Sequence, residues 1–395
     1  MKILQICPRV PYPPHDGGAI AMYDVAANLS AQGHEVTILA VNTPKHYQDP
    51  TVLKQIATVH AVYVNTTISA SKAFRNLFKK VPYNIERFIS KKFERKLVEL
   101  LKENQYDIIQ IEGTFVAYYV DVIRKHTNTP VVLRSHNLEY LIWQRLAINE
   151  RNPLKQLYLR YLAEGVKKFE EDYCNKFDAI AAITEQDLGR FRDLGCKGRI
   201  EFIPAGVALD RFSINREIKP KARTIFFIGA LNWLPNLEGL EWFLDNVWQE
   251  VSKELPDLEL HIAGKASPQH LLDLKLPNVF VHGFVPSASD FMQHYGLMLV
   301  PLLSGGGMRI KIIEGMAMGK CILSTSVGAE GIHCHSGENI MIADEPDEWV
   351  NRIRQYYNGI LYEDQIGENA LSLARKVYDN KRIIQKFLTL YRSLL

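Results

Sequence analysis

The sequence predicts an α/β protein made of two doubly wound parallel-sheet domains facing each other across a cleft. Three observations lead there. Short β-branched runs alternate with helix-period segments along all 395 residues, the pattern of parallel strands joined by helical crossovers. That pattern breaks once, at 206–223, where Gly206, Asp210 and a charged stretch to Arg223 read as a linker. The length suits two or three domains, and 47% apolar with 23% charged residues is ordinary for a soluble globular chain.

The elements follow in order. In a first domain, 1–205, the runs 2–6, 35–41, 59–64, 108–111, 131–135, 179–183 and 200–203 read as strands. The run 297–303 is continuously apolar, as expected of a buried parallel strand. A second domain, 224–378, repeats the rhythm at 224–228, 258–263, 279–282, 297–301, 321–324 and 339–342. A last helix, 379–395, carries Ile383, Ile384, Phe387, Leu388, Leu390 and Tyr391 and is expected to pack back across the domain junction. Ligands of such sheets bind beyond the carboxyl ends of the strands, so the residues that follow each strand carry the functional argument.

The most informative strand end is the one after 297–301. Ser304-Gly305-Gly306-Gly307 allows a sharp turn and close backbone approach. From Met308 the spacing becomes helical, with Ile312, Ile313, Met316 and Ala317 on one face. A helix N-terminus offers unpaired N–H groups to an anion. Arg309 and Lys311 add two cations to that first turn, an unfavourable placement unless something negative pairs with them. A diphosphate fits. The blander reading is a glycine-rich βα turn with two solvated basic residues. Gly315–Lys320 imitates a phosphate-binding loop, but it is one residue short between its glycines, lacks the following Ser/Thr and ends a helix instead of opening one.

Other strand ends contribute less specific signals. Gly17-Gly18 follows a proline-rich loop after the first strand, and a helix with Met22, Val25, Ala26 and Leu29 on one face follows from about Ala19. The G-x-G-x-x-G of a dehydrogenase is missing there. His136, Asn137 and Glu139 follow 131–135, Gly264 closes 258–263 and Gly283 closes 279–282. Both glycines suit close approach by a nucleotide base or ribose. Glu314, five residues beyond Arg309, could reach a ribose diol; its blander reading is a surface carboxylate. No metal site is expected. Asp344, Glu345, Asp347 and Glu348 look like acids opening a helix, and no cofactor motif stands out.

Composition narrows the setting. The five cysteines are scattered without CxxC spacing, which favours reduced thiols in a cytoplasmic protein. The N-terminal apolar run is too short for a signal peptide, and no run approaches the ~20 residues of a membrane span. A net charge of +3 argues nothing for nucleic acid. The segment 72–102 stands apart, with ten Lys or Arg against three Glu and apolar residues near helical spacing, broken at Pro82. It reads either as a basic amphipathic element on an anionic membrane or as surface helices with a core-facing stripe.

Taken in order, these residues resemble the retaining glycosyltransferases of family 4, with two Rossmann-like domains in the GT-B fold. The resemblance runs through Gly17-Gly18, Gly33-His34-Glu35-Val36, His136-Asn137, Ile203–Val207, Gly229, Pro235-Asn236, Ala263-Gly264, His282-Gly283, the Gly305–Gly319 block and Gly328–Gly331. The block matches the glycine-rich subgroup, Gly-Gly-Gly-x-Arg309-x-Lys311-x-x-Glu314. It implies transfer of a sugar from a nucleotide diphosphate donor to an acceptor hydroxyl, with the anomeric configuration kept and no metal. Arg309 and Lys311 are then the donor-phosphate clamp, with Gly305, Gly306, Gly307 and Met308 beside it. Glu314 is the ribose ligand, His136 the residue beside the donor sugar, and Gly17-Gly18 the loop near phosphates and acceptor. Two departures stand out. Gly306 occupies the position of the family's first Glu, and 229–233 lacks the family's Arg and Lys, whose charge Arg309 and Lys311 would supply.

The resemblance implies a glycan or lipid-linked acceptor, in cell-surface glycan or glycolipid assembly. The rivals are a sugar-nucleotide epimerase of the same fold and a catalytically silent nucleotide-sugar-binding protein.

Overall fold

A computed structural model describes residues 1–14, 17–150, 152–212, 214–215, 217–305 and 307–395. The chain divides into two compact units, Met1–Ala205 with Ile383–Leu395, and Gly206–Arg382. The stretch 206–223 lies in the second unit.

The first unit holds seven parallel strands: β1 (Lys2–Cys7), β2 (Glu35–Asn42), β3 (Thr58–Tyr63), β4 (Ile108–Glu112), β5 (Val131–Ser135), β6 (Ala179–Ala182) and β7 (Arg199–Phe202). Their order is β3-β2-β1-β4-β5-β6-β7. The winding reverses between β1 and β4, the switch point where open α/β sheets place ligands. Successive residues serve opposite faces: Ile3, Ile38, Ile108 and Val132 join one apolar core, while Leu4, Leu39, Ile109 and Leu133 join the other. That two-sided burial explains the unbroken apolar runs of the sequence. The helix Gly17–Ala31 buries Met22, Val25, Ala26 and Leu29 on the first of these cores. The C-terminal helix Asn380–Arg392 lays Ile383, Ile384, Phe387, Leu388, Leu390 and Tyr391 on the same core.

The second unit holds β8 (Thr224–Ile228), β9 (Glu259–Ala263), β10 (Val279–Gly283), β11 (Leu297–Val300), β12 (Ile322–Ser324) and β13 (Met341–Ile342), all parallel. Their order is β10-β9-β8-β11-β12-β13, with the switch point between β8 and β11. The glycine loop therefore leaves the switch-point strand. All thirteen predicted strands occur, with ends displaced by at most two residues.

Three local expectations need correction. The first helix begins at Gly17, two residues before Ala19. The helix after the glycine loop is Ile310–Ala317, so Arg309 is its N-cap and only Lys311 sits in the first turn. Gly305 (φ 112°) and Gly307 (φ 75°) take left-handed conformations open to glycine, and Arg309 stays extended at φ −87°, ψ 92°. The basic segment is not one stripe. The helix Lys91–Glu103 turns Phe93, Leu97 and Leu100 into the core, and Ile85 is buried too, whereas Phe74, Leu77 and Phe78 are exposed. The break at Pro82 separates two different surfaces.

Candidate functional site

Each unit carries a cluster at its switch point. In the second unit, β8 leads through Gly229 and Ala230 to the helix Leu234–Phe243. That helix packs against the end of β11 so closely that a Cβ on Gly239 would lie 2.1 Å from the Pro301 carbonyl oxygen. This approach delivers Asn236 and Trp233 to the glycine loop. Lys311 Nζ donates to Asn236 Oδ1 at 2.7 Å and stands 4.7 Å from the centre of the Phe227 ring. Asn236 is fixed in turn by donating from Nδ2 to the Ala230 carbonyl at 2.9 Å. The Arg309 guanidinium lies 5.6 Å from the Trp233 ring and donates from Nη1 to the Gly307 carbonyl. A Cβ on Gly305 would meet both Arg309 and Trp233.

Lys311 forms no ion pair among the described residues. Its charge rests on an amide oxygen and an aromatic face. Burial, and then the neighbouring Arg309 charge, push its pKa from the usual 10.5 down to about 7. A cation held this way is electrostatically unsatisfied, and an anion arriving between the two basic groups would relieve it.

Around this core, Met308 is buried and Glu314 is half-buried on the same helix, three residues from Lys311. Ser304 Oγ donates to Glu238 at 2.7 Å. Gly306 lies outside the described residues, as do His15 and Asp16 of the first unit's loop. Gly264 is demanded by the fold itself: its N–H donates to the Gly283 carbonyl at 2.7 Å, and a Cβ would fall 2.3 Å from the Gly229 carbonyl oxygen. Gly283 takes a φ of 65°.

In the first unit, His136 follows β5 and its Nε2 lies 2.7 Å from Glu112 Oε2. The ring packs over Gly113, where a Cβ would come within 3.5 Å of it. Glu112 ends β4 and is fully buried. It accepts from Gln5 Nε2 at 2.6 Å and from Gln110 Nε2, and Arg134 Nε lies 3.9 Å away. Burial alone would raise its pKa; the hydrogen bond and charge of His136, then Arg134 and Gln5, hold it below the ordinary value. The Arg134 guanidinium stacks 4.7 Å from Phe387 of the C-terminal helix. Beside them, Glu170 accepts from the backbone N–H groups of Glu139 and Tyr140 and from Thr114 Oγ1 at 2.9–3.2 Å. Burial, and then Glu170, raise the Glu139 pKa to about 8, and burial raises that of Glu170 to about 7. Gly17 and Gly18 open the helix Gly17–Ala31 after β1, at the other side of the same switch point.

Glu112, Trp233 and Phe227 carry no role in the sequence reading, and Asn236 enters it only as part of the family resemblance, with no role assigned. A signal for Glu112 existed: it is an acid ending the apolar run Ile108–Ile111 at a strand's carboxyl end. Asn236 offered little, because an amide acceptor for a lysine has no characteristic spacing. Among the described residues no three His, Cys, Asp or Glu converge as metal ligands would. Glu345 and Glu348 instead form a capping box on the helix Pro346–Tyr357.

Comparison with known proteins places both halves. Residues 15–211 match the family model described as Glycosyltransferase Family 4, and residues 222–359 match that described as Glycosyl transferases group 1. An uncharacterized 44.6 kDa protein in the cps region of Klebsiella pneumoniae is 26% identical over 402 residues, covering 97% of each chain. An uncharacterized glycosyltransferase of Haemophilus influenzae is 22% identical over 309 residues, covering 76% of this chain and 74% of that one. Two solved structures share the fold at 15% identity. Sucrose-phosphate synthase from Thermosynechococcus elongatus has a TM-score of 0.71 and covers 100% of this chain and 99% of its own. HepE from Anabaena, solved in complex with UDP, has a TM-score of 0.70 and covers 100% of both.

Proposed function

Because this chain belongs to the glycosyltransferases, with the Family 4 domain in its first half, the group 1 domain in its second and the GT-B fold, we propose that it transfers a sugar from a nucleotide diphosphate donor to an acceptor hydroxyl with retention of configuration. The observation that carries the donor assignment is Lys311, a desolvated ammonium beside Arg309 whose polar partner among the described residues is a neutral amide. Loss of a nucleoside diphosphate builds negative charge on its β-phosphate. A guanidinium, an ammonium and helix N–H groups aimed at that charge stabilise it. The leaving phosphate then takes the acceptor's proton as the sugar is attacked on the face it leaves from. No protein nucleophile is required, and no metal is invoked.

His136, held by Glu112, attends the transferred sugar, and Glu314 binds the donor ribose. Gly17 and Gly18 serve the phosphates and acceptor, and Gly264, Gly283, Gly305, Gly306, Gly307 and Met308 serve the nucleotide and its phosphates. The relative from a cps region supports glycan assembly as the setting, with a glycan or lipid-linked glycan as acceptor. Five free thiols support the cytoplasm. A donor is found by thermal shift, since a nucleotide sugar at 100 times its dissociation constant adds about 2.7 kcal/mol of stability. With that donor, Arg309→Ala should lower the turnover number about 10²–10³-fold. Wild-type turnover in Arg309→Ala would overturn the clamp.

A further inference from the structure

We propose that the face formed by residues 74–80 and the start of the helix Pro153–Cys174 docks the protein on an anionic lipid bilayer. Phe74 (65% exposed) and Phe78 (83% exposed) protrude next to each other, their ring centres 6.2 Å apart. Leu77 between them is bound to the long helix, where Tyr161 Oη donates to the Leu77 carbonyl at 3.0 Å. Leu154 (80% exposed), Leu157 (67% exposed) and Tyr161 fall at i, i+3 and i+7 of that helix. They extend the apolar strip about 10 Å from the point of contact. Unlike Phe93 and Leu97 further along, these side chains have no core to enter. Large apolar groups clustered in water mark a contact surface.

The charge around the strip selects the partner. Lys72, Arg75, Lys80 and Arg160 are exposed on the same two segments. Of the nearby acids, Glu86 pairs with Lys79 and Glu150 with Lys155, while exposed Glu164, one turn beyond Tyr161, leaves the four cations in excess. Protruding aromatic and leucine side chains ringed by cations suit the boundary between acyl chains and anionic headgroups. Among the described residues no helix is long and apolar enough to cross a membrane, so the contact is a peripheral one. It is independent of the sugar-transfer reading, and its test uses no donor.

The full chain is sedimented with phosphatidylcholine vesicles, with and without one-third phosphatidylglycerol, at low and high salt. Binding is expected on the anionic vesicles only and should weaken with salt. Phe74→Ser/Phe78→Ser should lower partitioning about tenfold or more, and Lys72→Glu and Lys80→Glu about fivefold each. Leu154→Ser, on the other segment, should weaken binding as well, and unfolding curves matching wild type show that the variants are folded. The proposal is overturned if the wild type stays in the supernatant at low salt, or if the double serine variant binds as well as wild type. It is equally overturned if the same variant converts a dimer of the free protein to monomer, which would make a second copy the occupant.

Discussion

The two switch points treat charge in opposite ways. At the first unit's β4–β5 ends, Glu112 and His136 lie 2.7 Å apart and two glutamine amides complete the carboxylate's shell. At the second unit's glycine loop, Lys311 faces an amide oxygen and a ring, with a like charge beside it. The first arrangement satisfies its charge within the fold and so can hold a side chain in one orientation. The second gives Lys311 no counter-ion among the described residues, and the proposed diphosphate site rests on that difference.

The contrast breaks most directly at Lys311. Lys311→Met should weaken nucleoside diphosphate binding about 10- to 100-fold, the worth of a charge-assisted contact, as read by calorimetry. The ligand-free protein should melt higher. The lowered pKa means that the folded state binds fewer protons than the unfolded state between about pH 7 and the usual 10.5, so the charge costs most below pH 7. The gain in the variant should therefore be largest there and fade as pH rises toward 10.5. An unchanged affinity would mean that the anion binds elsewhere.

Glu112→Gln tests the other side. The amide presents a donor to a shell of donors and should cost the first unit about 1.5–3 kcal/mol, measured by denaturant unfolding. Glu112 has a lowered pKa, so its contribution is present above the ordinary carboxylate value and is lost as pH falls through the folded one. The difference between variant and wild type should shrink on acidification. Turnover should fall while donor affinity holds, because the proposed donor clamp, Arg309 and Lys311, belongs to the second unit. Equal stability at neutral pH would show that the shell is slack.

A smaller effect is expected at Glu139. Its raised pKa means that ionisation penalises the folded state as pH climbs from the ordinary carboxylate range to about 8. Glu139→Gln should leave the melting temperature unchanged near pH 4 and raise it modestly at pH 8. A variant less stable at pH 8 would show that Glu139 is ionised and paired there.

Much of this was legible in the chain. The run 297–301 announced a buried strand, and the glycines before Arg309 announced a sharp turn, which Gly305 and Gly307 make in left-handed conformations. The N-cap place of Arg309 was not legible, because a loop's last extended residue and a helix's first differ only in ψ. Nor was the difference in burial across the break that Pro82 marks in the sequence. Phe78 and Phe93 are the same residue type in similar basic surroundings, and only the packing of the helix Lys91–Glu103 on the sheet separates an exposed ring from a core one.

By itself the sequence determined the two parallel-sheet domains, the strands and the glycine loop with its two cations, because periodicity and backbone freedom are local properties of the chain. Tertiary structure alone decided that Glu112 meets His136 and that Asn236 meets Lys311. Those partners are 24 and 75 residues apart, and only the winding order of strands around each switch point brings them within a hydrogen bond.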